Sequence, residues 1–140
     1  MADHGLPAGL IAEYEALYAL GVAGAHLTGA QLDAAKRSDQ AHRDTRDAVL
    51  TRMSDSGAKV PEQQAAYRLP SQATDAKTAG RLISDIEDRT TRTWRAVVAN
   101  TTGADRRAAA RAMASSAVNL ARWKRATGVS PSTTAFPGRH

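Results

Sequence analysis

The sequence predicts an all-α protein, a single-domain four-helix bundle that spans residues 1–140. Four segments of similar length carry apolar residues at helical spacing, and breaks containing glycine or proline separate them. Aromatic residues make up only 4% of the chain while alanine is abundant, which favours closely packed helices over a sheet. A chain of 140 residues suits one domain with one core.

The first two predicted helices are separated by a tight break. Helix 1 begins near Pro7, which suits a first helical turn, and ends near Leu27. A Thr-Gly pair at 28–29 follows, and helix 2 covers about 30–54. Gly57 stops this second helix.

The last two predicted helices form a second pair with a short connection. Helix 3 starts after Asp75, a plausible N-cap, and continues to about Asn100. Helix 4 covers about 104–126, and Gly128 is well placed to end it. The tail, about 128–140, contains the single phenylalanine of the sequence.

The connection between helices 2 and 3 decides the topology. It has about 18 residues and could span roughly 60 Å when extended, whereas a helix of 25 residues is about 38 Å long. It can therefore cross the whole bundle. The expected arrangement is two antiparallel hairpins joined by one long crossover, which is the ferritin-like topology. A compact loop of the same length would also be compatible with the sequence.

Composition narrows the functional classes. There is no cysteine, which excludes disulfides, thiolate metal sites and cysteine nucleophiles. The N-terminal segment has acids inside its apolar run and lacks a basic start, so we do not expect a signal peptide. No run is long and apolar enough for a membrane span. The sequence predicts a soluble cytoplasmic protein with no membrane partner.

The inward face of helix 2 is polar at its middle. At 100° per residue, Asp39, His42 and Arg46 fall on the same arc as the apolar residues of this helix. Such groups are costly to bury without partners, so other helices must supply them. The apolar members of the arc are Leu32, Ala35, Val49, Leu50 and Met53.

Acids of helices 1 and 3 are the candidate partners. Glu87 lies within the edge of the apolar face of helix 3. Glu13 and Glu15 flank the apolar stripe of helix 1 on opposite sides, and periodicity does not choose between them. Helix 4 has no histidine and no acid after Asp105.

Six stretches, which together cover nearly the whole chain, resemble a known family. They are LIAEYEALYALGVAGAHL, AHRDTRDAVL, AAYRLP, LISDIED, AARAMASSAVNLARW and AFPG. They resemble the actinobacterial ferritin-like domains of unknown function. The resemblance implies a four-helix ferritin-like fold. It also implies that Glu13 is the inward acid of helix 1, with His42 and Glu87 as its counterparts. It supplies no activity.

Two interpretations of the predicted cluster compete. A ferritin-like di-metal centre uses two single Glu ligands and two Glu-x-x-His pairs. Here Glu13, Asp39, His42 and Glu87 would be the ligands, so any metal, iron or manganese, would be single and weakly bound. Arg46 favours the other interpretation, a buried polar network without metal, because a guanidinium repels a divalent ion and pairs with carboxylates. If this network forms, we expect Arg46→Ala to lower the free energy of unfolding by roughly 3–5 kcal/mol, because it leaves buried carboxylates without their partner.

The sequence therefore predicts an uncharacterised, non-enzymatic bundle with a buried Glu/Asp/His/Arg network and no cofactor. The alternative is a weak mononuclear metal-binding or redox protein derived from di-iron carboxylate proteins. The expected assembly is a homo-oligomer, a dimer, because an alanine-rich bundle has a thin core that dimerisation would reinforce. Helix 4 is basic and carries Trp123, but acids are scattered through helices 2 and 3, so nucleic-acid binding is not expected.

Overall fold

The computed structural model describes residues 4–128 and shows four helices packed together. They are α1 (Leu6–Gly24), α2 (Gly29–Ser56), α3 (Ala76–Ala99) and α4 (Gly103–Ala126). Within the described residues there is no strand, so the all-α four-helix prediction is confirmed. No helix of this part of the chain is both long enough and apolar enough to cross a membrane.

The helix ends follow the capping residues of the sequence, with one exception. The Asp75 side chain accepts a hydrogen bond of 2.8 Å from the backbone N–H of Thr78 and so caps α3. Gly57 ends α2 with a φ of 70°, a conformation that favours glycine. The exception is α1, which ends at Gly24 and not near Leu27. Leu27 is buried, so the apolar pattern continues into the turn although the helix does not.

The predicted C-terminal tail, about 128–140, lies outside the described residues apart from Gly128. Gly128 follows the last turn of α4 with a φ of 76°, the conformation expected of a glycine just beyond a helix end.

Two apolar clusters show how the helices run. One joins the start of α1 and α4 to the end of α2 and α3, and the other joins the opposite ends. α1 and α2 are therefore antiparallel, and so are α3 and α4, while α2 and α3 are parallel. Residues representing the first cluster are Leu10, Met53, Trp94 and Ala109, and those representing the second are Leu20, Ala35, Ile83 and Trp123.

Because α2 and α3 are parallel, the connection 57–75 has to cross the full length of the bundle. It follows α1 for part of this path: the Tyr14 hydroxyl donates to the Pro61 carbonyl at 3.1 Å. The Tyr67 ring meets the Tyr18 ring edge-on, with centroids 6.2 Å apart. The sequence-based prediction of two antiparallel hairpins joined by one long crossover is confirmed.

One close contact between helices requires a glycine. Gly9 of α1 faces the Trp94 ring of α3, and a Cβ atom built at Gly9 would lie 2.2 Å from the ring. Only a residue without a side chain allows this approach. Trp94 is fully buried there, and its position orients the indole N–H towards the middle of the bundle.

Candidate functional site

Three ionisable side chains from three helices meet in the middle of the core. His42 of α2 lies between Glu13 of α1 and Glu87 of α3, and each of the three is at most 1% exposed. The Nδ1 atom of His42 makes a short hydrogen bond to Oε2 of Glu13. Its Nε2 atom lies 2.7 Å from Oε1 of Glu87. We call these three residues the core triad.

The two carboxylates of the core triad have different surroundings. Oε1 of Glu13 accepts a hydrogen bond of 2.8 Å from the indole N–H of Trp94, so both of its oxygens have partners. Oε2 of Glu87 is buried and has no partner among the described residues. Trp94 lies on the apolar face of α3, and its role as a donor to Glu13 depends on packing that the sequence does not show.

The core triad favours the protonated form of His42. Burial by itself lowers the pKa of this imidazole, but Glu87 and Glu13 together raise it well above its ordinary value of 6.5. In the imidazolium both ring nitrogens carry a proton, and each can then donate to one carboxylate. The neutral ring has only one N–H and would leave one carboxylate facing a lone pair.

Asp39 and Arg46, which the sequence placed in the cluster, lie outside it. Asp39 is partly exposed and accepts a 2.6 Å hydrogen bond from Arg43. Arg46 pairs with the neighbouring Asp47 at 3.0 Å. Burial and Tyr67 raise the pKa of the Tyr14 phenol, and the Arg46 charge nearby opposes them.

The reason for this correction is the rotation of α2. Ala34 and Ser38 are buried on one side of His42, whereas Asp39 and Arg46 lie on the other side at the edge of the buried face. The inward face of α2 predicted from its apolar residues included Leu32 and Leu50. In the structure these two side chains are only partly buried, so the predicted face was rotated too far towards them. Contacts with both α1 and α4 set the true rotation.

The structure also decides between the two acids of α1. Glu13 is the buried residue, as the family resemblance implied, while Glu15 pairs with Arg89 at 3.2 Å near the surface. Glu87 takes the expected inward position on α3.

The fourth helix contributes no charge at the level of the core triad. The Trp123 indole donates to the Gly80 carbonyl at 2.9 Å, and this antiparallel register places Ser116 opposite Glu87. Ser116 is buried, and its hydroxyl lacks a partner among the described residues. Trp123 is 1% exposed, so its ring is not available for stacking on a base.

The core triad does not fit a di-metal centre. It provides two carboxylates and one imidazole, and Asp39 turns away to Arg43. In residues 4–128 no group of three or more histidine or acidic side chains is arranged to hold a metal ion. A metal-bound imidazole needs a free lone pair, but both nitrogens of His42 point at carboxylate oxygens.

Comparison with known proteins gives the family. Residues 5–140 match the model of a domain of unknown function, DUF4439. The chain belongs to the DUF4439 family. This DUF4439 chain is also similar to the crystal structure of a conserved hypothetical protein, rv2844, from Mycobacterium tuberculosis. The two are 34% identical, the match covers 94% of each chain, and the TM-score is 0.82. No curated protein matches the sequence.

The first prediction compares His42→Ala with Arg46→Ala. Removing His42 leaves two buried carboxylates without their cation, so we expect the free energy of unfolding to fall by about 3–5 kcal/mol. Arg46 pairs with Asp47 near the surface, so Arg46→Ala should lower the free energy of unfolding by about 1 kcal/mol or less. Urea denaturation of both variants measures the difference. Equal losses would contradict the position of Arg46 outside the core triad.

The second prediction concerns pH. The folded-state pKa of His42 is raised above 6.5, so its contribution to stability is complete below about pH 6.5 and is lost as pH rises through the folded value. Unfolding measured between pH 6 and pH 9 should therefore show falling stability. NMR should show both His42 ring nitrogens protonated at pH 7.5.

His26→Gln, which removes a histidine outside the core triad, should retain this pH dependence. A His42 ring that loses its proton below pH 6.5 would contradict the imidazolium assignment.

Proposed function

We propose that this DUF4439 chain is a non-enzymatic ferritin-like bundle in which an imidazolium–carboxylate network replaces a di-metal centre. Two features support the ferritin-like relationship. The single long crossover between two hairpins is the connectivity of ferritin-like bundles. The core triad also has inward Glu and His side chains from facing helices, as the metal sites of such proteins do.

The observation that carries this proposal is the pairing of both His42 ring nitrogens with carboxylates. Each ferritin-like metal ion takes an imidazole nitrogen and several carboxylate oxygens as ligands. Here the imidazole cation itself occupies the position between Glu13 and Glu87, and it neutralises one of their two charges. The network is a structural substitute for a metal because it links α1, α2 and α3 in the same way.

A second candidate function is weak binding of one metal ion, and one observation favours it. Oε2 of Glu87 is buried without a partner in the described residues, and the core triad has a net charge of −1 when His42 is protonated. A divalent cation would satisfy both features if His42 lost its proton and turned. Iron(II) and manganese(II) suit such a mixed carboxylate and imidazole set.

The third prediction separates these two functions. Elemental analysis of tag-free protein after incubation with iron(II), manganese(II) or zinc(II) should find far less than one metal per chain under every condition. His42→Ala, Glu87→Gln and the control His26→Ala should give the same result as the wild type. About one metal per chain that is lost in the first two variants, and retained in the control, would instead support the metal-binding function.

We further propose that the protein forms a homodimer through the face shared by α2 and α4. A groove of about 510 Å³ lies between these helices, with the small residues Ala48 and Ala108 in its walls. Its α2 side carries Asp44 and Asp55, and its α4 side carries Arg107 and Arg111. A two-fold axis along this groove would set the acids of one copy against the arginines of the other.

The fourth prediction is a dimer mass in light scattering, about twice the chain mass of 14.8 kDa, at micromolar concentration. Ala48→Glu should give a monomer, because it places a charge and extra volume in the groove. Gly21→Glu is the matched control: Gly21 is exposed on α1 with open space around it, so the same added charge should leave the dimer intact. A strictly monomeric wild type would contradict the proposal.

A further inference from the structure

A second pocket lies between the beginning of α2 and the end of α4. It is separate from both the core triad and the α2–α4 groove, and it shares no residue with either. Its volume is about 320 Å³, at the small end of the range for ligand sites. Arg37 reaches it from α2, and Arg122 and Arg125 reach it from α4.

These three arginines have no acidic partner in residues 4–128. No ion pair to a carboxylate forms at Arg37, Arg122 or Arg125 within this part of the chain. Elsewhere in the bundle arginines do pair, as Arg43 does with Asp39 and Arg52 with Asp105. Three guanidinium groups around one small pocket therefore give it a strongly positive potential.

The usual reason for basic residues at the end of a helix explains only part of this set. Cations near a helix C-terminus interact favourably with its dipole, which accounts for Arg125 in the last turn of α4. Arg37 lies in the first third of α2, far from the C-terminus of that helix, so the dipole gives no reason for it there.

A buried amide in the pocket wall provides an independent observation. Asn119 lines the pocket and is 4% exposed, and its Nδ2 atom has no hydrogen-bond partner in the described residues. A buried amide N–H without an acceptor is costly. An anion in the pocket would supply the acceptor. A half-turn of the amide, which exchanges the positions of its nitrogen and oxygen, would direct the N–H towards the anion. Ser38, in the same wall, offers a hydroxyl donor.

We propose that this pocket binds a small oxyanion, and that a phosphate monoester with a short apolar group fits it best. Guanidinium groups bind phosphate through paired hydrogen bonds, and three positive charges match a dianion. The Asn119 amide would donate to the same group. Ala34 and Ala126 form an apolar part of the wall that would contact the rest of the ligand.

The fifth prediction tests this site by NMR titration at fixed ionic strength. Phenyl phosphate should give saturable shifts confined to the start of α2 and the end of α4. Inorganic phosphate should bind more weakly because it lacks the apolar group. Succinate tests whether the pocket prefers a carboxylate to a phosphate. Tighter binding of succinate than of both phosphates would assign the oxyanion as a carboxylate and overturn the choice of phosphate.

Matched variants distinguish a built site from general attraction to a basic surface. Arg37→Gln with Arg122→Gln should lower the affinity at least about tenfold, or 1.4 kcal/mol. Arg92→Gln with Arg95→Gln removes the same charge from exposed positions in the second half of α3, away from both this pocket and the α2–α4 groove, and should leave the affinity nearly unchanged. An equal loss in both double variants, or shifts that never saturate, would overturn the proposal.

Asn119→Leu tests the amide separately. Since the Nδ2 atom of Asn119 has no partner in the described residues, replacement of the amide by a side chain of similar size should keep or raise the melting temperature while it lowers phosphate affinity. A lower melting temperature with unchanged affinity would show that Asn119 serves the fold and would remove it from the site.

Discussion

The structure depends on the pairing of one buried imidazolium with two buried carboxylates. Taking charges out of water is expensive, so Glu13 and Glu87 can be fully buried only because His42 lies between them. This requirement fixes the relative position of three helices at one level of the bundle. It also explains why Trp94 is oriented with its N–H towards Glu13 and why Gly9 has no side chain.

The fourth helix, α4, is held in the bundle by contacts other than the core triad. Its buried contacts with α3 are mainly apolar, and two of its side chains donate to backbone carbonyls of α3, Trp123 to Gly80 at 2.9 Å and Arg106 to Val98 at 3.1 Å. At the level of the core triad it provides only the small hydroxyl of Ser116. α4 holds no member of the core triad, and its contact with α2 includes the ion pair of Arg52 with Asp105 at 2.8 Å. The α2–α4 groove and the second pocket, both with charged walls, lie along this contact between α2 and α4.

The core triad and the α2–α4 side are two separate features of the molecule. The core triad links α1, α2 and α3 of the four-helix bundle, and its charge balance responds to pH through His42. The two proposed binding sites lie instead on the α2–α4 side, where the α2–α4 groove has acidic and basic walls and the second pocket is basic. Both proposals place the binding residues of this chain outside the core.

The sequence by itself determined the helices and their number, and it favoured a crossover between two hairpins without excluding a compact loop. Local signals suffice for these features, because the cap at Asp75, the glycine at Gly57 and the helical spacing act within a few residues. It also determined that Glu87 faces inward. Its one error in helix length, at Leu27, arose because burial continued beyond the last helical turn.

Only the tertiary structure decided which polar groups meet. Periodicity leaves the rotation of a helix uncertain by several tens of degrees, and such a rotation separates His42 from Asp39 and Arg46. The choice of Glu13 over Glu15 depends in the same way on where α2 and α3 lie against α1. Helical spacing shows that a polar face exists, but the partners of a buried charge come from other helices, and their position is a property of packing.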